Sequence, residues 1–146
     1  MNLLSPVRTI MTNHLQTLHP KDELRKVKDI FEAKRIHHIP VVEDGILKGI
    51  ISKSDYLFFC RGFKGINTEL KVERYRLNNH RVEEIMTTGL ATMNPDDKIN
   101  VALEIFKVNL FHAIPIVEDG LLIGIVTTYD IIENLANDKI AENKYV

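Results

Sequence analysis

The chain carries one pattern twice, and this duplication constrains its fold more than any other feature. "HHIPVVEDGILKGIISKSD" (His37 to Asp55) returns as "HAIPIVEDGLLIGIVTTYD" (His112 to Asp130), 75 positions later and without a gap. Over the 49 positions from 7 to 55, 21 residues are identical at that offset. Two copies are too few for a solenoid, so we expect them to pack on each other about a pseudo-twofold axis and bury two hydrophobic faces.

Each copy predicts the order strand, helix, strand, strand, helix, which gives an α/β (α+β) fold of two tandem βαββα repeats. "LQTL" (Leu15 to Leu18) alternates apolar and polar residues, as a half-buried strand does. In the second copy Asn94 is the predicted cap of a helix, with Pro95 at its first position and Asp96 and Asp97 in its first turn. Apolar residues at helical spacing support this helix in both copies: Leu24, Val27, Ile30 and Phe31, and Ile99, Ala102, Ile105 and Phe106.

The second half of each copy predicts a β-hairpin followed by a helix. Asp44-Gly45 and Asp119-Gly120 lie between apolar runs. Asp-Gly is a strong hairpin signal because both turn residues must reach positive φ. The last helix is predicted to begin after Ser52 in the first copy and after Thr127 in the second.

The repeats divide the chain into residues 1–60, a linker over residues 61–81, and residues 82–146. The linker has no counterpart elsewhere in the chain and holds six basic residues against two acidic ones. Two interpretations are open for it. It is either a solvated connection that is partly helical around Glu69 to Leu77, or a basic lip that helps to attract phosphates.

The composition argues against several classes of protein. Nineteen basic residues oppose twenty acidic ones, and the net charge of -1 gives no overall attraction to nucleic acid. The apolar runs are far shorter than the roughly 20 residues that span a bilayer, and the N-terminus lacks the pattern of a secretory signal. Cys60 is the single cysteine, so no intrachain disulfide can form. We therefore expect a cytoplasmic protein that binds neither membrane nor nucleic acid.

The chemistry of the repeat is concentrated in "GIISKSD" (Gly49 to Asp55) and "GIVTTYD" (Gly124 to Asp130). Each places a hydroxyl residue at a strand end and an aspartate three residues later, at the start of a helix. One interpretation is a capping box that satisfies the N–H groups of the helix start. The other is a nucleotide site, with the helix start and hydroxyl at a phosphate and the carboxylate at both hydroxyls of a ribose. In that case the glycines let a ligand approach the backbone closely.

An ordered set of motifs occurs twice: "V-x-x-I-M-T", the "H-x-I-P-[VI]-V" strand, the Asp-Gly hairpin and "G-I-[IV]-[ST]-x-x-D". This set resembles a tandem cystathionine-β-synthase (CBS) domain pair, the Bateman module, over the chain from about Val7 to Leu135. The resemblance implies two copies packed through their sheets, with two clefts that bind adenine nucleotides such as AMP, ADP or ATP. Modules of this kind sense energy state for enzymes, channels or transporters.

The resemblance also implies roles for individual residues. Ribose would be held by Asp55 and Asp130. Phosphate would be contacted by Ser52, Thr127, His37, His38 and His112. Adenine would be lined by Thr12, Asn13, His14, Leu15, Ile39, Pro40, Thr87, Thr88, Gly89, Leu90, Ile114 and Pro115. The second copy departs from the pattern at Ala113, where the first copy has a histidine, so we do not expect the two sites to have equal affinity.

We therefore expect a stand-alone regulatory module that binds an adenine nucleotide and senses energy state for a partner protein in another chain. No catalytic set stands out, and the six histidines lack the spacing of metal ligands, so we expect neither an enzyme nor a metal site nor a required cofactor. The alternative is a structural interaction module without a functional ligand. Apolar residues in "DYLFFC" and "DIIENLA" exceed what a small core can cover, which predicts a homodimer.

Overall fold

The structure is a computed structural model that describes residues 1–61, 70–108 and 111–143. Its strands are β1 (His38–Glu43), β2 (Ile46–Ser52), β3 (Ala113–Glu118) and β4 (Leu121–Thr127). Its helices are α1 (Leu24–Ala33), α2 (Lys53–Arg61), α3 (Leu70–Asn79), α4 (Val82–Ile85), α5 (Ile99–Val108) and α6 (Thr128–Asn143). The predicted α+β fold is confirmed. None of the helices in these ranges combines the length and apolar character that crossing a membrane requires.

The strands form two antiparallel hairpins, β1 with β2 and β3 with β4. Their turns are the predicted Asp-Gly pairs, with φ of 52° at Asp44 and 79° at Gly45, and of 51° at Asp119 and 80° at Gly120. Positive φ at both turn residues is the type I′ geometry, whose twist matches that of the flanking strands. The hairpin prediction is therefore confirmed in both copies.

The strand predicted over Leu15–Leu18 is reduced to a single bridge. Of these four residues only Leu18 pairs, in parallel with Val41. The Leu18 N–H donates to the carbonyl of Pro40 at 2.9 Å, and its own carbonyl accepts from the N–H of Val42 at 2.8 Å. The prediction is wrong for the three preceding residues because the chain leaves one compact unit for the other after Leu15. A segment that changes units cannot follow one strand edge along its whole length.

The helix predicted to begin at Asn94 begins later, at Ile99. Asn94 instead starts a turn that also contains Pro95. Its N–H donates to the carboxylate of Asp97 at 2.9 Å, and its side-chain oxygen accepts from the N–H of Asp96 at 3.1 Å. The N-cap prediction is wrong because asparagine and aspartate side chains satisfy nearby backbone groups in a turn as readily as at a helix start.

The chain folds into two compact units that do not coincide with the two repeats. The central unit is Gln16–Gly89, and the terminal unit combines Met1–Leu15 with Leu90–Val146. Each unit therefore contains the hairpin and main helices of one repeat. It also contains the short segment from the start of the other repeat.

Each unit has its own hydrophobic core. The core of the central unit contains Leu18, Leu24, Val27, Ile30, Phe31, Ile39, Val41, Ile51, Tyr56, Leu77 and Val82. The core of the terminal unit contains Val7, Met93, Ile99, Ala102, Ile114, Ile116 and Val126, with Ile105 and Phe106 packed against it. The apolar positions predicted from helical spacing are therefore confirmed as core positions in both copies.

The linker contributes to the central core. Its predicted helix is observed as α3 from Leu70 onward, whereas Glu69 lies outside the described residues. α3 packs against α1, and Leu77 is buried in the core. Lys71 and Arg74 are exposed. The linker is therefore more than a solvated connection, and the basic lip remains a prediction.

The repeated "V-x-x-I-M-T" motif is the segment that each repeat supplies to the other repeat's unit. We call Val7–Thr12 and Val82–Thr87 the crossing segments. Each begins with a fully buried valine. Each ends in antiparallel pairing with the second strand of the hairpin, the first segment at Ile125 and the second at Ile50. The paired N–H···O distances are 2.9 and 3.0 Å at Ile125, and 2.8 and 2.9 Å at Ile50, so each hairpin gains a further edge contact.

Gly49 and Gly124 make room for the crossing segments. A β-carbon on Gly49 would lie 2.7 Å from the carbonyl oxygen of Thr87, and one on Gly124 would lie 2.6 Å from the sulfur of Met11. Both distances are too short for a β-carbon unless the atom that it meets moves away. The close approach that these glycines allow is therefore that of the chain itself, in the space where the sequence suggested a ligand.

We expect Gly49→Ala to lower the free energy of unfolding by about 1–3 kcal/mol, and Gly124→Ala to lower it by less. At Gly49 the new methyl group meets a backbone oxygen, which cannot withdraw without breaking the pairing of Ile50 with Thr87. At Gly124 the nearest atom belongs to a flexible methionine side chain, which can move aside. Urea denaturation of both variants and the parent measures the difference. A larger loss at Gly124 than at Gly49 would contradict this account.

Candidate functional site

Three side chains meet at the start of α2 in the central unit. The N–H of Asp55 donates to Ser52 Oγ at 3.0 Å, and the N–H of Ser52 donates to Asp55 Oδ2 at 3.0 Å. The hydroxyl of Thr87, from the second crossing segment, donates to the same carboxylate oxygen at 3.2 Å. All three residues are half-buried. The carboxylate is thus shared between the helix start and the crossing segment, and we call this group the central site.

The equivalent side chains meet at the start of α6 in the terminal unit. The N–H and hydroxyl of Thr127 both donate to Asp130 Oδ2, at 2.7 and 2.9 Å, and the N–H of Asp130 donates to Thr127 Oγ1 at 3.2 Å. The hydroxyl of Thr12, from the first crossing segment, donates to Asp130 Oδ1 at 3.4 Å. We call this group the terminal site. Each site therefore combines residues from both repeats.

The local sequence explains this geometry as a capping box. α2 begins directly after Ser52, and α6 begins directly after Thr127. The hydroxyl at the N-cap accepts from the third helical N–H, and the aspartate at that third position accepts from the N-cap N–H. Two N–H groups that a helix start leaves without intrahelical partners are satisfied in this way. The predicted capping box is confirmed in both copies.

The three predicted histidines lie beside the helix starts. The carbonyl of His37 accepts from the first N–H of α2 at 2.8 Å, and the carbonyl of His112 accepts from the first N–H of α6 at 3.0 Å. His38 is the register partner of Ser52 across the hairpin. The side chains of His37 and His112 are exposed, whereas that of His38 is half-buried. Their backbones therefore hold the helix starts in place.

The two aspartates keep acceptor capacity beyond their capping role. A carboxylate has two oxygens with about four lone-pair sites, and capping does not exhaust them. The threonine contacts, at 3.2 and 3.4 Å, are long for O–H···O hydrogen bonds, whose usual distance is about 2.7–2.8 Å. A long hydrogen bond is weak and easily exchanged. The geometry therefore allows a ligand hydroxyl to replace the threonine hydroxyl at Asp55 or Asp130.

The residues predicted to line adenine differ in accessibility and in unit. Exposed residues are Thr12, Asn13, His14, Thr88 and Gly89; half-buried ones are Leu15, Thr87 and Leu90; buried ones are Ile39, Pro40, Ile114 and Pro115. Thr12–Leu15 and Leu90 belong to the terminal unit, and Thr87–Gly89 belongs to the central unit. Ile39 and Ile114 are core residues, so their side chains support the sites from inside.

Two residues beside the sites were not among the predicted ones. Met86 and Met11 pack over Gly49 and Gly124, directly before the threonines that contact the aspartates. The signal that could have found them is the repeated Ile-Met-Thr sequence. It was interpreted only through its threonine, because a methionine in an apolar motif usually indicates core packing.

The described residues also form a charged surface feature outside the two sites. A shallow depression of about 390 Å³ shares no residue with the central site; it is lined by Lys21, Asp22, Glu23, Arg25, Lys26, Asp29 and Arg81. Its charges largely neutralise one another, with 3.1 Å between Lys26 and Asp22 and 3.3 Å between Arg81 and Glu23. Burial raises the pKa of Asp22, but the N–H of His19 and the ammonium of Lys26 outweigh it, so the pKa is lowered overall.

Over the same described ranges, no cluster of three His, Cys, Asp or Glu side chains could hold a metal ion.

Comparison with known proteins identifies related sequences. The family model "CBS domain" matches residues 7–62 and again residues 82–137. The CBS domain-containing protein YhcV of Bacillus subtilis is 26% identical over 138 residues, which cover 94% of this chain and 91% of that protein. The uncharacterized protein MJ1225 of Methanocaldococcus jannaschii is 30% identical over 118 residues, which cover 80% of this chain and 42% of that protein. The chain thus spans less than half of the latter relative.

Solved structures show the same fold. CBSX2, crystallised in complex with AMP, matches with a TM-score of 0.76 and 22% identity over 92% of this chain and 98% of that chain. The structure of MJ1225, put forward as an archaeal homologue of g-AMPK, matches with a TM-score of 0.73 and 25% identity over 92% of this chain and 49% of that chain. At 22% identity the likeness to CBSX2 shows a shared fold and nothing more.

We expect Ser52→Ala to lower the free energy of unfolding by about 1 kcal/mol, because the start of α2 loses its capping hydroxyl. Ser54→Ala is the matched control. Ser54 is exposed in the first turn of the same helix, and alanine favours a helix over serine, so no loss is expected there. Chemical denaturation of the two variants and the parent makes the comparison. Equal losses at both positions would show that capping does not explain the effect.

Proposed function

We propose the following function for this chain, which belongs to the CBS-domain family. Each unit binds an adenine nucleotide (AMP, ADP or ATP) beside the start of α2 or α6, and the occupancy of these sites regulates a partner protein in another chain. The nucleotide is a regulatory ligand, and no further cofactor is required. We expect the protein to act in the cytoplasm and to catalyse no reaction itself.

One observation carries this proposal. In both units the aspartate that caps a helix is also contacted by a threonine from the other repeat, through long hydrogen bonds of 3.2 and 3.4 Å. Capping alone needs only the serine or threonine next to the helix. The second contact holds a hydroxyl of the crossing segment at the carboxylate, and a vicinal diol could take the place of that hydroxyl. Ribose presents such a diol.

The comparisons support the choice of ligand. CBSX2 has the same fold and was crystallised with AMP, and MJ1225 was put forward as a homologue of g-AMPK. An adenine nucleotide would place its ribose on Asp55 or Asp130. Its phosphates would lie at the hydroxyls of Ser52 or Thr127 and the neighbouring histidines, and its base against the residues that follow each crossing segment.

The alternative is a structural module in which the aspartates serve only to cap helices. The complete capping box in both copies favours this alternative as far as local contacts are concerned. In the alternative, the threonine contacts serve only to hold each crossing segment against a helix start. The two functions differ in one measurable respect, the effect of the aspartates on nucleotide affinity.

We expect Asp55→Asn and Asp130→Asn each to weaken nucleotide binding at its own site by roughly ten- to a hundredfold. Asparagine keeps the shape and much of the capping ability of aspartate, but it loses the charge and one acceptor. A hydrogen bond to a charged group contributes about 1.5–3 kcal/mol, which corresponds to that loss of affinity. Isothermal titration calorimetry with AMP, ADP and ATP measures it, and each variant should silence one site and spare the other.

Asp97→Asn is the matched control for Asp130→Asn. Asp97 accepts the N–H of the residue three positions earlier at 2.9 Å, as Asp130 does at 2.7 Å, but it does so in a turn outside the site. We expect a similar cost in stability and no change in affinity. If the parent binds and both site variants bind equally well, the ribose role is wrong. If the parent binds none of the three nucleotides, the structural alternative holds.

The module is also proposed to form a homodimer. The apolar residues noted in the sequence divide between the cores and the surface. Tyr56 and Ile131 are buried, whereas Phe58 on α2 and Ile132 on α6 keep 76% and 63% of their surface exposed. Exposed large apolar side chains on helices are typical of surfaces that a second protein covers.

We expect multi-angle light scattering at micromolar concentration to give about twice the mass of one chain. Phe58→Ser and Ile132→Ser should shift the mass towards that of a monomer, since each removes apolar surface that association would bury. Circular dichroism should show unchanged helix content, because both side chains lie outside the cores. A monomeric parent protein at this concentration would refute the homodimer.

A further inference from the structure

We infer that Met86 and Met11 are sites of oxidation by hydroperoxides, and that the resulting sulfoxides loosen the crossing segments that carry these residues. A lone pair of the sulfur attacks the terminal oxygen of the hydroperoxide, the O–O bond breaks and an S–O bond forms. The proton passes to the departing oxygen, which leaves as water or an alcohol. The thioether loses two electrons and becomes a polar sulfoxide, which can be reduced again.

The two methionines occupy equivalent positions in the two crossing segments. Each lies directly before the threonine that contacts an aspartate of a candidate site. Both are half-buried. Met86 packs against the core of the central unit, and Met11 packs against that of the terminal unit. Part of each side chain is therefore open to solvent, where a small oxidant can reach it.

The sulfur of each methionine lies against a glycine. The sulfur of Met86 is 2.9 Å from the position that a β-carbon of Gly49 would occupy, and the sulfur of Met11 is 2.6 Å from the equivalent position at Gly124. These contacts leave little free space on the hairpin side of each sulfur. An added oxygen must therefore point away from the hairpin or push the side chain off the glycine.

The backbone N–H groups around each sulfur are already bonded. In the central unit the N–H of Met86 donates to the carbonyl of Val82 at 3.0 Å, and Thr87 and Ile50 donate to each other at 2.8 and 2.9 Å. The three equivalent bonds in the terminal unit measure 3.0, 2.9 and 3.0 Å. A sulfoxide oxygen is an acceptor, and burying it without a donor costs free energy. Oxidation therefore draws the side chain towards water and away from the glycine.

The loss of this packing reaches each candidate site through the next residue. The hydroxyls of Thr87 and Thr12 are held at the aspartates over 3.2 and 3.4 Å, which are long hydrogen bonds. A crossing segment that has lost its methionine packing is less ordered, and a nucleotide that binds beside it must order it again. Oxidation should therefore weaken nucleotide binding. This consequence rests on the proposed function, whereas the oxidation and the loosening do not.

A peptide map of the folded parent protein after mild treatment with hydrogen peroxide tests which methionines react. Trypsin releases residues 82–98 as one peptide that contains both Met86 and Met93. Met93 is 3% exposed and serves as an internal control. By tandem mass spectrometry we expect Met86 to be oxidised roughly tenfold faster than Met93, and Met11, in the peptide of residues 9–21, to react as fast as Met86. Equal rates at Met86 and Met93, or an unreactive Met11, would overturn the inference.

Urea denaturation tests whether the sulfoxides loosen the fold. We expect peroxide treatment to lower the urea midpoint of the parent and to leave that of the double variant Met11→Leu, Met86→Leu unchanged. Leucine has a similar volume and lacks the sulfur, and the variant is compared with itself before and after treatment. It keeps Met1, Met93 and Cys60, whose oxidation would lower both midpoints. An unchanged midpoint in the oxidised parent, or an equal drop in the variant, would contradict the inference.

Enzymatic reduction repeats this test without any substitution. Methionine sulfoxide reductases A and B act on the two sulfoxide epimers, so treatment with both should restore the urea midpoint of the oxidised parent. A midpoint that stays low after the peptide map shows reduced methionines would assign the loss to other damage and overturn the inference.

Isothermal titration calorimetry separates this inference from the proposed function. We expect oxidation to weaken the binding of AMP, ADP or ATP to the parent by roughly two- to tenfold, the cost of ordering one or two side chains, and to leave the double variant unaffected. Unchanged affinity in the fully oxidised parent would overturn the link to the sites. A parent that binds no nucleotide before treatment refutes the proposed function, while the peptide map and the urea midpoint still decide the oxidation and the loosening.

Discussion

The fold depends on one contact made twice: a crossing segment lies on the glycine of the other repeat's hairpin. The hydrogen-bonded pairing of Thr87 with Ile50, and of Thr12 with Ile125, brings the segment so close that a β-carbon at Gly49 would collide with its backbone, and one at Gly124 with the side chain of Met11. Because the segment comes from the other repeat, neither repeat completes a unit alone. A duplicated sequence thereby becomes two compact units, each built from parts of both copies.

This exchange also assembles the candidate sites. The serine or threonine and the aspartate come from one repeat and form a local capping box, while the threonine that contacts the carboxylate arrives with the crossing segment from the other. In the proposed function, stability and binding share the same atoms, since the carboxylate that secures the helix start would also accept hydrogen bonds from the ligand. The same atoms explain why the capping and nucleotide interpretations could not be separated by motif alone.

The two units share a framework but differ in charge. The first copy has His38 where the second has Ala113, and Lys53 at a helix start where the second has Thr128. By sequence the central unit carries +3 and the terminal unit -4. The two copies thus share a backbone arrangement, while differences in their surface residues give each unit its own net charge. Unequal nucleotide affinity of the two proposed sites is a prediction that follows from this difference.

The sequence by itself determined what depends on near neighbours. The Asp44-Gly45 turn, the apolar stripes of α1 and α5 and the Ser52–Asp55 capping box are all set within a few residues, by positive φ, helical spacing or the reach of a side chain. The tertiary structure decided what depends on distant partners. Leu15–Leu18 forms no strand, and the space beside Gly49 is filled by a crossing segment. Both follow because the segment that meets each hairpin starts in the other repeat. A pattern repeated in sequence cannot show which copy supplies the contact; only packing decides that.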